Sequence, residues 1–137
     1  MEFLDKSYLP LFASILMALF HGVLFVQSAH DKITDWQGNL GWLTGHFENS
    51  IFKGKVPFLL GIITIMELVC GVLSLASIYF TLSGTHKVAA LAASLSLLTL
   101  LQLFTGQRIA KDYPGAGALV PYFIMSMIWL GIVSAML

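Results

Sequence analysis

Five side chains could do chemistry within an otherwise apolar chain: His21, Lys32, Glu67, Gln102 and Arg108. Glu67 is the sharpest of them. It stands in the run IMELVCG at 65–71, with no lysine or arginine between Lys55 and Lys87. An ionised carboxylate facing lipid is penalised by several kcal/mol. Such a residue must face other helices, be paired, or be protonated, and an intramembrane acid points by default to proton exchange or ligand binding. The competing reading is a Glu67–His21 hydrogen bond that only fixes helix register. Counted from the ends of the apolar runs, His21 lies about 12 Å deep and Glu67 about 16 Å at the helical rise. That makes His21 the nearest partner by depth, with Lys32 or Arg108 able to reach inward from the boundary. Gln27, His30, Asp31 and Lys32 close the first run at the same end, and Gln102, Gln107 and Arg108 close the third. Polar groups are therefore concentrated in one half of the thickness.

The elements that must position these groups are transmembrane helices. The chain has 137 residues, 58% hydrophobic and 10% charged, against about 25% charged in an ordinary soluble domain. That is too little polar surface for a soluble fold, whereas lipid can solvate apolar outer faces. Four apolar stretches, 9–29, 56–82, 88–106 and 116–137, each reach about the 20 residues needed to cross the hydrocarbon core. They fill one membrane domain, 1–137, with no internal repeat. The first stretch is expected to be a permanent span, since Glu2 and Asp5 precede it and no small-x-small cleavage site follows.

Pro10 and Pro57 suit the first turns of spans one and two, where a missing N–H costs little. LSGTHK at 82–87 is a short turn, and Pro114, Gly115 and Gly117 break the link before span four, which starts near Ala116 with Pro121 in or near its first turns. The long link from His30 to Lys55 carries Leu40, Leu43, Phe47 and Ile51 at helical spacing, with Asn39 as an N-cap and Trp36 and Trp42 suited to the membrane–water interface. It predicts a short amphipathic interfacial helix. By the positive-inside rule, Lys32, Lys53, Lys55, Arg108 and Lys111 would put the first and third connections in the cytoplasm and both termini outside, a bias that nearly vanishes if Lys32 and Arg108 serve a site instead. Small and polar stripes recur on three spans: Ser14, Ala18, His21 and Ser28; Thr64, Glu67, Gly71 and Ser74; Ala92, Ser96, Thr99, Gln102 and Gly106. Most of these residues are ordinary helix-packing material.

Other classes are disfavoured. Zero net charge offers no basic surface for nucleic acid. The single cysteine, Cys70, excludes an internal disulfide or CxxC pair. Haem would need two axial ligands at matching depth, but His86 lies at the opposite end and His30 and His46 at or beyond the boundary. No closely spaced ligand set suggests zinc or another metal, and no catalytic residue is assigned.

The segments FHGVLFVQSAHDKITDW at 20–36, VPFLLGIITIMELVCGVLSL at 56–75 and GQRIAKDYPGAGALVPYFIMSMIWL at 106–130 resemble the DoxX family of small four-span bacterial membrane proteins. Lys32 just past span one, and Pro57, Glu67 and Gly71 in span two, match its features. The resemblance implies the bacterial inner membrane, and through a relative that is the small subunit of a thiosulfate:quinone oxidoreductase it implies partnership with redox subunits. The expected fold is an all-α antiparallel four-helix membrane bundle with the interfacial helix between spans one and two. The expected function is an accessory subunit of a membrane oxidoreductase, with Glu67, His21 or Gln102 hydrogen-bonding a quinone in a cleft. Alternatives are a structural or assembly subunit, in a larger complex or a homo-oligomer, and a small transporter with Glu67 as a proton-coupled site. Four spans without a repeat argue against the last.

Overall fold

The computed structural model describes Lys6 and residues 8–137; Glu2 and Asp5 lie outside the described residues. Six helices follow one another: α1 (Leu9–Thr34), α2 (Trp36–His46), α3 (Val56–Leu82), α4 (Lys87–Ile109), α5 (Tyr113–Gly117) and α6 (Val120–Met136). The helices α1, α3, α4 and the α5–α6 pair are long and apolar enough to cross a membrane. The protein is thus an all-α, multi-pass membrane bundle with a short helix between its first two spans.

Local chemistry sets the helix ends. Pro10, Pro57 and Pro121 all occupy first turns. At the end of α3, the amide of Thr85 donates to Phe80 O at 2.8 Å and that of Gly84 to Thr81 O at 3.1 Å. This pair of bonds is a Schellman motif, and it needs the left-handed backbone that Gly84 supplies at φ +90°. The fourth span is broken near its start: α5 is a separate short helix, capped where Asp112 Oδ1 accepts from Gly115 N at 2.9 Å, and α6 begins at Val120.

The spans close a ring in which α1 packs on α3, α3 on α4, α4 on α6 and α6 on α1. Small residues line the seams, among them Ala18, Ala89, Ala92, Ala93, Ser74 and Ser77, all buried. Buried hydroxyls are mostly satisfied within their own helices, as in Thr64 to Leu60 O at 2.6 Å, Ser77 to Ser74 O at 2.6 Å and Ser96 to Ala92 O at 2.7 Å, while Ser74 Oγ has no partner among the described residues. Leu16, Phe58, Ile65, Val72 and Ile128 face outward, where lipid rather than water solvates them.

Two glycines fix the register of α1 against α3. The Leu75 side chain lies directly on Gly22, and a Cβ on Gly71 would stand 2.9 Å from the Val26 backbone N. With the helices antiparallel, these contacts put Glu67 level with about residue 30 of α1 and leave His21 about 13 Å further along. The matched depth expected for His21 and Glu67 is therefore corrected. Counting from span ends misplaced them because α3 projects about two turns beyond the end of α1.

The connection between spans one and two also differs from expectation. Its helix starts at Trp36, one residue after α1 ends, and stops at His46. Asn39 is not an N-cap; it lies inside α2, and its Nδ2 donates to Asp35 O at 2.8 Å and Asp31 O at 3.3 Å. Leu43 and Phe47 turn toward α3 and α4, while Ile51, past the helix, is 74% exposed. Helical spacing over 40–51 spanned a helix end that the pattern did not mark.

The α1–α3 contact gives a direct test. Gly71→Ala should lower stability by about 1–3 kcal/mol through overpacking, because the new methyl meets the Val26 backbone as well as its Cγ2. Gly131→Ala, with nothing near its Cβ position, should cost nothing. Thermal unfolding in detergent measures both, and equal midpoints would show that α1 and α3 do not depend on this approach.

Candidate functional site

Glu67 is paired with Lys32. Lys32 Nζ donates to Glu67 Oε1 at 3.2 Å, to Glu67 Oε2 at 3.1 Å and to Ser28 Oγ at 2.8 Å. Two local facts allow this. First, α1 runs on to Thr34 instead of ending near Ala29, so Lys32 is held on the helix face that carries Ser28, one turn earlier. Second, the glycine register brings Glu67 to the level of that turn. Glu67 is 1% exposed, whereas the Lys32 side chain keeps 18% exposure.

His21 belongs to a different cluster, three turns deeper. Its Nδ1–H donates to Met17 O at 2.7 Å, and its Nε2 stands 2.7 Å from the Ser126 hydroxyl, which also lies 2.9 Å from Tyr122 O. The ring packs 4.7 Å from that of Trp129, whose Nε1–H donates to Ser14 Oγ at 3.1 Å. These contacts tie α1 to α6 in the bundle core. His21 bonds to neither Glu67 nor Lys32. Arg108 also stays away from the acid: its guanidinium stacks 4.5 Å from the Tyr113 ring centre.

A cleft of about 580 Å³ opens beside the ion pair. Val56, Leu59, Leu60 and Ile63 of α3 form one wall, and the last turns of α4 from Leu101 to Gln107 form the other. Leu43, Phe47 and Phe52 also line it, as does Lys32. The cleft exists because α3 projects past α1, leaving its first turns without a long-helix neighbour on that side. It lies on the side of the first and third connections, where polar groups were expected to gather.

Gln102 is exposed and lines this cleft, which departs from the inward stripe expected on α4. Ala92, Ser96 and Thr99 of that stripe are buried, but its last turns look into the opening. The Gln102 amide has no hydrogen-bond partner among the described residues. Gln107 is engaged: its Oε1 accepts from His46 Nε2 at 2.7 Å, and Asp112 Oδ2 stands 3.7 Å from the same nitrogen. Of the three groups expected to meet a quinone carbonyl, Gln102 lines the cleft, while Glu67 sits behind Lys32 and His21 lies in the core.

Sequence reasoning missed the roles of His46, Ser126 and Trp129. Trp42 and His46 are four residues apart and stack at 4.5 Å, an i,i+4 pair that the sequence does contain. The tie from Ser126 and Trp129 to His21 and Ser14 crosses over a hundred residues and leaves no local signal. Among the described residues, no three His, Cys, Asp or Glu side chains converge into a metal-sized group. Cys70 is buried beside Thr99, with Sγ 3.2 Å from Oγ1.

Comparison with protein-family models, curated proteins and solved structures gives no match.

The ion pair predicts a sign in a double-mutant cycle. Lys32→Met leaves the Glu67 carboxylate buried without its cation and should cost about 3–5 kcal/mol, whereas Lys32→Met with Glu67→Met removes both charges and should cost much less. Chemical denaturation in mixed micelles measures the four proteins. A double variant as unstable as the sum of its parts would show that the two side chains are not coupled.

Proposed function

We propose that the protein is a membrane-embedded binding subunit whose cleft takes a lipid-soluble quinone, and that it serves an oxidoreductase complex of the bacterial inner membrane as an accessory chain. The observation that carries this reading is the unpartnered Gln102 amide in a mainly apolar cleft, whose other polar side chains, Lys32, Thr105 and Gln107, are already hydrogen-bonded. The volume falls in the range of small-molecule sites, about 300–1,000 Å³. Leucine, isoleucine and phenylalanine side chains suit a ring and an isoprenoid chain, and an amide N–H suits a ring carbonyl. Electron transfer would belong to a partner subunit. The resemblance to DoxX proteins supports the same reading, through Lys32, Pro57, Glu67 and Gly71. We further propose that the bound molecule enters from the bilayer, where it is dissolved.

A second reading is favoured by the ion pair itself. Lys32 and Glu67 bridge α1 and α3, and His21 and Ser126 bridge α1 and α6, as in a purely structural subunit whose polar core fixes helix register.

Equilibrium binding of decylubiquinone to the protein in nanodiscs separates the two. Saturable binding is expected, and Gln102→Leu should weaken it by about 2- to 12-fold, the loss of one hydrogen bond. Phe58→Leu, on the lipid face, should leave it unchanged. Absence of saturable binding would leave the structural reading.

A further inference from the structure

We propose that Glu67 sets the charge of the ligand: by neutralising Lys32 it makes the cleft a site for uncharged hydrogen-bonding amphiphiles and closes it to anionic ones. This rests on the cleft being a ligand site, as proposed above.

Lys32 is the one formally charged residue among those lining the cleft. Alone, such a lysine would select an anionic headgroup, a carboxylate, sulfonate or phosphate on an apolar tail. Glu67 removes that preference. An ammonium has three N–H donors, and three acceptors already surround Nζ: both Glu67 oxygens at 3.1 and 3.2 Å and Ser28 Oγ at 2.8 Å. An entering anion finds no free donor on Lys32 and a second negative charge just behind it. Like charges repel strongly where little water screens them, and an anion stripped of water without a partner is costly. A neutral carbonyl needs a single N–H, which Gln102 can give.

Glu67 does this without touching the ligand. It is 1% exposed and absent from the cleft wall. It is a positioning residue that acts through Lys32, and its removal should change specificity rather than abolish binding. Glu67→Gln keeps the shape and one acceptor for Lys32 but frees the positive charge.

The test compares methyl decanoate with 1-decanesulfonate, an uncharged and an anionic amphiphile with similar tails. Each is titrated calorimetrically into protein-loaded nanodiscs at neutral pH, with empty nanodiscs as baseline. The native protein should prefer the ester by about tenfold or more. Glu67→Gln should shift that ratio toward the sulfonate by at least about tenfold, and Lys32→Gln added to Glu67→Gln should cancel the shift. Sulfonate binding as tight as ester binding in the native protein overturns the proposal, even if no variant folds. So does an unchanged ratio in a folded Glu67→Gln protein. Decylubiquinone titrated alongside keeps the two ideas apart. Ester preference without quinone binding removes the quinone reading and keeps the charge rule; quinone binding with equal sulfonate binding does the reverse. If neither amphiphile saturates the native protein, the charge rule falls, and decylubiquinone binding alone decides the quinone reading.

Discussion

A carboxylate removed from water inside a helical bundle needs a cation close by, and Glu67 finds it in Lys32. Desolvating each charge costs several kcal/mol, and their attraction offsets this only when the geometry is good and the remaining donors are satisfied. Both conditions are met: both carboxylate oxygens face Nζ, and Ser28 takes a further donor. The rest of the polar end follows from this pair. Lys32 must stay on a helix, so α1 continues through His30 and Asp31 to Thr34. The helices α1 and α3 must approach closely, so Gly22 and Gly71 stand at their crossing. A larger residue at Gly71 would meet the Val26 backbone and separate the helices on which the pair depends.

Much of the fold could be read from the sequence because membrane spans announce themselves by length and composition. The four spans, the prolines in their first turns and the break at Ser83-Gly84 are local signals. So was the inward orientation of Glu67, since lipid forbids the alternative. Its partner was not local. Choosing between His21 and Lys32 required the register of α1 against α3, which depends on how far each helix extends past the other. Depth counted from span ends assumes flush ends. Here α3 overhangs, and the overhang moved Glu67 from the level of His21 to that of Lys32.

The same overhang explains why Gln102 and the α2 helix departed from their patterns. A 3.6-residue period says which residues share a face, not what that face meets. On α4, Ala92, Ser96 and Thr99 meet neighbouring helices, but one turn later the same face meets a cleft. In the long connection, Leu43 and Phe47 meet that cleft from the other side, while Ile51 lies beyond the end of α2 and meets nothing buried.

The bundle thus carries two polar clusters with different consequences. The His21, Ser126, Trp129 and Ser14 cluster is closed on all sides, and each of its members is buried. It binds α1 to α6 in the way interhelical hydrogen bonds do in lipid. The Lys32–Glu67 pair is closed toward the core but open toward the cleft, through the exposed fraction of the lysine. A pair serving packing alone has no need of that opening, and two apolar side chains would fill the same space at comparable stability. What distinguishes the pair from a packing device is therefore that its lysine lines a mainly apolar cleft, which is also lined by an amide with no partner among the described residues. There the cancellation of two charges decides what the cavity can hold.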